Sequence, residues 1–200
     1  MEDGSDIDAR LAARLRALRA ERGLTLEALA ERSGVSRSMI SLVERGESSP
    51  TANVLDRIAA GLGLTLAALF ADDARDGAAP LSRRAGQQSW TDPGTGYVRR
   101  NLSPPGYPSP IELVEVELPT GARVAYDGGA RAATVHQQVY MLEGAMALTV
   151  GGDRHELEAG DCLAMRIDQP VVFHNPSGRP ARYLVALATE DARSRPHPKR

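Results

Sequence analysis

The feature that most constrains this chain is a change of periodicity near its middle. Up to Phe70, apolar residues recur at helical spacing in a stretch rich in Ala, Leu, Arg and Glu. From Ile111 onward Val, Leu and Tyr dominate, and glycine or proline turns recur every few residues. A 3.6-residue period and a two-residue period belong to different kinds of element. The chain is therefore expected to build two domains, one all-α and one all-β. Between them, Ala71–Pro110 carries Asp92-Pro93-Gly94, Pro104-Pro105-Gly106 and Pro108-Ser109-Pro110, which cannot sustain a helix. The expected division is an α domain over 1–72, a linker and irregular lead-in over 73–110, a β domain over 111–190 and a disordered tail over 191–200.

Five short helices are expected in the first domain. Leu11, Leu15 and Leu18 form one apolar face of a helix of about Asp8 to Arg22, which Gly23 ends. Thr25 caps a second helix, Leu26 to Ser33, closed by Gly34; Ser36 caps a third, through about Arg45. Thr51 caps a fourth, to Leu62, and Thr65 opens a fifth, to Phe70. In the second domain, strands are expected at Ile111–Leu118, Arg123–Tyr126, Val135–Leu142, Ala145–Val150 and Ala181–Ala188. Glu143-Gly144 reads as a hairpin turn between two of them. Short strands at this spacing argue for an antiparallel barrel or sandwich.

Composition excludes several classes. The net charge of −2 gives the whole chain no basic character, and the single cysteine, Cys162, allows no internal disulfide framework. Glu2, Asp3, Asp6 and Asp8 stand where a secretory signal would be basic and then apolar. No apolar run approaches the roughly 20 residues of a membrane span. A soluble cytoplasmic protein with no membrane partner is expected. The charge is unevenly spread, however: nine arginines face six acids between Arg10 and Arg57.

The second and third helices and their turn have the dimensions of a helix-turn-helix. Ala30 is small where the helices cross, Gly34 accepts a left-handed turn backbone, and Val35, Ile40 and Val43 face the core. Ser36, Arg37, Ser38, Ser41, Leu42 and Arg45 are left to project outward. An arginine at position 37 can bond a guanine edge bidentately, and Ser38 and Ser41 are short enough for close approach. Ser36 and Arg45 suit phosphate contacts, and Thr25, heading the preceding helix, joins the candidate DNA-binding set. The competing reading is a helical domain used only for protein contacts.

Residues Leu15 to Phe70 resemble the lambda-repressor-like, XRE-type helix-turn-helix family. The resemblance is carried by Arg22-Gly23-Leu24-Thr25-Leu26, Leu29-Ala30, Ser33-Gly34-Val35-Ser36, Ile40-Ser41, Glu44-Arg45-Gly46, Pro50-Thr51 and Leu55-x-x-Ile58-Ala59. It implies a homodimer on double-stranded DNA, reading a palindromic operator through Arg37, Ser38, Ser41 and Leu42. Residues Ile111 to Ala188 resemble the cupin family through Pro119-Thr120-Gly121, Val139-Tyr140-Met141-Leu142-Glu143-Gly144, Gly160-Asp161 and Val171-x-x-x-Asn175. Together the two halves resemble regulators that fuse these modules. The implied fold class is α+β in two domains, a five-helix bundle followed by an antiparallel cupin β-barrel (a double-stranded β-helix).

Metal-binding cupins use two His and a Glu before the hairpin and a third His four residues before an Asn. This chain departs at each position. The Glu slot falls on Gln137, or on Gln138 if the register slips by one; the His slots fall around Ala130, Ala132 or Thr134, and on Val171. His136 and His174 have the opposite strand parity and should point away. A metal held by both is the competing reading. Neither a metal nor another cofactor is expected, and no paired carboxylates or nucleophile–base set suggests an enzyme. Cys162 reads as a small core residue and Asp161 as a turn residue. Gln137, Val139, Met141, Val171 and Phe173 share the inward parity and are the candidate lining of a small-molecule effector pocket.

Three functions follow from this reading. The first is a transcription regulator that binds DNA and whose β domain senses a small organic effector. The second is a metal-dependent cupin enzyme of epoxidase or dioxygenase type with an accessory helix-turn-helix. The third is a constitutive regulator whose filled barrel only dimerises.

Overall fold

The computed structural model describes residues 4–71, 77–128 and 134–190. The chain opens with five helices, α1 (Gly4–Glu21), α2 (Leu26–Ser33), α3 (Arg37–Glu44), α4 (Ala52–Gly61) and α5 (Leu66–Phe70). Their shared core contains Leu15, Leu29, Ile40, Leu55 and Ile58, none more than 1% exposed. Burying each such side chain contributes about 1.5–3 kcal/mol. Gly34 takes φ +63°, and its N–H bonds the Ala30 carbonyl at 2.8 Å, so a left-handed residue both ends α2 and turns the chain into α3.

Ten strands follow: β1 (Ser89–Thr91), β2 (Val98–Asn101), β3 (Ile111–Leu118), β4 (Arg123–Tyr126), β5 (Thr134–Glu143), β6 (Ala145–Val150), β7 (Asp153–Glu158), β8 (Cys162–Arg166), β9 (Val171–His174) and β10 (Ala181–Glu190). They form a six-stranded sheet, β1-β2-β3-β10-β5-β8, facing a four-stranded sheet, β4-β9-β6-β7, with every pairing antiparallel. Val114, Val116 and Leu118 of β3, Val139 and Met141 of β5, Leu148 of β6 and Phe173 of β9 are buried. Phe173 and Tyr183 stack with centroids 5.6 Å apart and bridge the two sheets. Gly144 (φ +81°) turns β5 into β6, where a Cβ would stand 2.8 Å from the Pro180 carbonyl oxygen.

Four expectations need correction. Residues 73–110 are not wholly linker: β1 and β2 form a hairpin around Asp92-Pro93-Gly94, and β2 pairs with β3 as part of the larger sheet. Strands of three and four residues are too short to display alternation, so only their turn was audible in the sequence. The closed barrel is a pair of facing sheets, because among the described residues no ladder joins them; edge strands of three to six residues end first. Thr51 makes no side-chain cap on α4; the Ala52 N–H donates instead to Asp92 Oδ1, 2.8 Å away on the hairpin loop. Cys162 is exposed on edge strand β8, whose inward parity falls on Leu163 and Met165. The expected tail over 191–200 lies outside the described residues.

The α and β units pack together. Besides the Asp92 cap, Asn53 Nδ2 donates to the Ala125 carbonyl at 2.7 Å, and Asn101 Nδ2 donates to the Phe70 carbonyl at 3.0 Å. The Phe70 ring of α5 meets Trp90 of β1 at 5.5 Å, and the Arg99 guanidinium of β2 lies 4.8 Å from its centroid. Trp90 is 2% exposed, so the β1–β2 hairpin is what joins the two cores.

Candidate DNA interface and the pocket behind it

Helix α3 is fixed on one side and free on the other. Val35, Ile40 and Val43 are buried, whereas Ser36, Arg37, Ser38 and Arg45 are exposed and Ser41 and Leu42 half-buried. Ser36 Oγ accepts from the Met39 N–H at 3.2 Å and caps the helix; exposed Thr25 caps α2 through the Ala28 N–H at 3.1 Å. Capped N-termini with exposed hydroxyls are suited to phosphate oxygens.

The arginines on this face already have partners. Arg37 Nε lies 2.5 Å from Glu27 Oε1. A hydrogen bond from its own backbone, with the Arg37 charge adding to it, holds the Glu27 carboxyl below the usual range. Arg45 grips Glu47 with Nε at 2.8 Å and Nη2 at 2.7 Å, and Nη1 donates to Ser41 Oγ. That hydrogen bonding keeps the Glu47 carboxyl low. Exposed pairs of this kind are worth little and exchange readily for a phosphate or a base.

Two further sets were silent in the sequence. Arg19 closes a two-pronged bond on Glu44 at 2.6 and 2.7 Å, and Arg16 Nη2 donates to the Glu44 carbonyl at 2.6 Å. These arginines lock α1 to α3. Arg57 of α4 donates through Nε to the Ser33 carbonyl at 3.2 Å and through Nη2 to the Gly34 carbonyl. The same side chain lies 3.9 Å from Asp127, just beyond β4. A residue counted only as positive charge thus ties the turn before α3 to the β unit.

Behind α4 and α5 lies a cavity of about 80 Å³ between the two domains. Its β wall includes Gln137, Val171 and Phe173, three of the five residues expected from parity. Val139 and Met141 are fully buried but do not line it. Its α wall, from Asp56, Thr65, Leu66 and Ala67, had no signal in the sequence, since it exists only once the domains dock. Tyr97, Arg99, Tyr126 and Tyr183 also face the cavity. Burial raises the phenol pKa of all three tyrosines, so they are hydrogen-bonding hydroxyls at neutral pH; Tyr97 and Tyr126 share a 3.2 Å contact.

The residues do not fit a cupin metal. Gln137 is inward, but Val171 has no donor, and the 129–133 segment contains no His, Cys, Asp or Glu. His136 lies on the exposed face of the larger sheet beside Glu190 at 3.6 Å, and His174 has the outward parity of the smaller one. They cannot share an ion. Among the described residues no three His, Cys, Asp or Glu side chains converge.

Comparison with known proteins agrees with this two-part organisation. Residues 15–69 match the helix-turn-helix family and residues 116–187 the cupin domain family. The chain thus carries an XRE-type helix-turn-helix domain followed by a C-terminal cupin domain, the organisation of a transcriptional regulator. It is 28% identical over 165 residues to the HTH-type transcriptional regulator SutR of Escherichia coli, covering 82% of this chain and 86% of that one. It is 28% identical over 178 residues to the HTH-type transcriptional regulator PuuR of the same organism, covering 86% and 91%. An HTH_3 family transcriptional regulator from Vibrio cholerae superposes with a TM-score of 0.73 at 28% identity, over 93% of this chain and 98% of that one. No described helix is long and apolar enough to cross a membrane.

Proposed function

We propose that this regulator binds a palindromic DNA operator as a homodimer and responds to a small organic effector seated between its two domains. Helix α3 enters the major groove with Arg37, Ser38, Ser41 and Leu42 toward base edges. Thr25, Ser36 and Arg45 bind phosphates. The effector contacts Gln137, Val171 and Phe173. The observation that carries this reading is the cavity itself: one wall comes from the DNA-binding unit, so an occupant would touch both domains. A ligand shifts an equilibrium only through different contacts in the two states, and a shared seat supplies them.

A second copy is accommodated on the outer face of the larger sheet. Ile111, Leu113 and Tyr140 are 50%, 39% and 43% exposed there, and the register sets Leu113 beside Ala186 and Leu184 beside Tyr140. The protein acts by binding rather than catalysis. Gln137 and Val171 at the ligand slots support a metal-free reading. Elemental analysis of untagged, chelator-free protein should find well under one metal per chain. Stoichiometric iron, zinc or manganese would revive the enzyme reading.

The deciding experiment screens the full chain for thermal shifts with a metabolite panel and then titrates DNA with each hit. At least one compound should raise Tm and change DNA affinity. A panel without hits would leave the constitutive regulator in its place.

A further inference from the structure

Arg99 is 6% exposed, lines the junction cavity, and rests over Phe70 of α5. Its Nε finds no acceptor among the described residues. A buried guanidinium with an idle donor is costly and strongly attracts an anion. Among the described residues two acids bear on the site, one on the cavity wall and one within the field of Arg99. Asp56 is on the cavity wall but already engaged. Glu112, on β3, accepts from Thr65 Oγ1 at 3.2 Å, and burial pushes its carboxyl toward the neutral form despite the field of Arg99. The other polar side chains on the wall are the hydroxyl of Thr65, the neutral hydroxyls of Tyr97, Tyr126 and Tyr183 and the amides of Gln137 and Gln169. Val114, Val116, Val185 and Leu187 flank these groups on the inward face of the larger sheet, with Val116 beside Arg99 and Tyr183 and Leu187 beside Gln137, and Leu66 of α5 completes the apolar lining.

We infer that the cavity takes a short-chain carboxylate, its charge bound by Arg99 and its alkyl part held between the β sheet and α5. A guanidinium matches a carboxylate in two parallel bonds, and phenol donors reinforce the same end. The apolar side leaves room for only a few carbons, since about 80 Å³ holds a handful of water-sized groups. This inference rests on the effector reading and names the chemical class of its ligand. It also makes α5 part of the seat: the anion binds the N–H edge of a guanidinium whose face rests over Phe70.

The test uses the full-length protein and three matched series from two to six carbons: straight-chain carboxylates, their primary amides, and primary amines. Calorimetry and thermal shift should show saturable carboxylate binding, strongest at three to five carbons and at least tenfold tighter than the amides. Arg99→Gln should abolish that preference, whereas Arg99→Lys should retain part of it. Hydrogen exchange of the wild type with the best carboxylate should slow in 64–70 as well as in β2 and β10. Because the series comparison and the exchange experiment need no variant, an unfolded Arg99→Gln protein does not rescue the proposal. Amides or amines binding as well as carboxylates would overturn it and leave the effector reading intact. Protection confined to the β unit would remove α5 from the seat. Silence from all three series overturns the carboxylate assignment, and the wider metabolite screen then decides the effector reading separately.

Discussion

Arg37 is paired with Glu27, Arg45 with Glu47, Arg19 with Glu44, and Arg57 with the carbonyls of Ser33 and Gly34. These partners sort arginines that look alike in sequence. The first two pairs are exposed and exchangeable; the others hold the fold. Arg37→Ala is expected to cost about 1–3 kcal/mol at the operator and to relax preference at one base pair. Arg45→Ala should weaken all DNA alike and flatten the salt dependence by about one unit of slope. Anisotropy titrations on matched and scrambled duplexes at several salt concentrations separate the two, and an unchanged Arg37→Ala affinity would refute this register for α3. Glu112 makes a second residue-scale prediction. Its carboxyl is held above the ordinary glutamate value, first by desolvation, so the native state binds its proton more tightly than the unfolded chain does. Stability from this group is therefore full below the unfolded value and is lost as pH rises through the folded one. Glu112→Gln should leave a protein at least as stable at pH 7, with a smaller fall in Tm between mildly acid and neutral pH. A variant less stable than wild type at pH 7 would contradict the sign.

At the scale of elements, Asp92 shows how far the chain could be read in advance. It stands in a Pro-Gly turn that marked a break, yet its carboxylate caps α4 from the other domain and also accepts from the Thr95 N–H and hydroxyl. Asp92→Ala should cost about 0.5–2 kcal/mol through the lost cap. Thr51→Ala should cost far less, because Thr51 makes no capping bond. Denaturant melts of both variants decide this; equal losses would return the cap to Thr51. Long elements with strong periods were legible. The five helices and the strands Ile111–Leu118 and Ala145–Val150 could be placed from spacing and the residues that bound them, although the cap of α4 comes from Asp92 rather than Thr51. The inward parity of Gln137, Val171 and Phe173 could also be read, because a two-residue period leaves one choice of face. The α wall of the cavity, the Asp92 cap and the Arg57 bridge could not. Each joins residues more than 20 positions apart, and no local pattern encodes which distant backbone will arrive.

For the whole molecule, the proposed operator reading calls for two reading helices. One α3 spans only a few base pairs, and useful operator affinity comes from placing two of them about 34 Å apart on successive major grooves. The domains of one chain share a core through Phe70, Trp90 and Tyr97, so a dimer made by the β sheets would fix the spacing of the helices. Leu113, Leu184, Ala186 and Tyr140 form an outward apolar band across β3, β10 and β5, with charged Glu115 and Arg182 on the same face. An apolar centre with a charged margin is how a stable interface is composed. Tyr140→Asp places a charge in that band without touching the inward core, since its parity is opposite to that of Val139 and Met141. Light scattering should show wild type as a dimer at micromolar concentration and Tyr140→Asp as a monomer with an unchanged circular dichroism spectrum. Its affinity for a palindromic site should fall on the order of 10²-fold or more, the loss expected when two linked contacts become one, while a half-site is bound as before. A Tyr140→Asp dimer with full palindrome affinity would move the interface to another face; a monomeric wild type would remove the two-helix reading altogether.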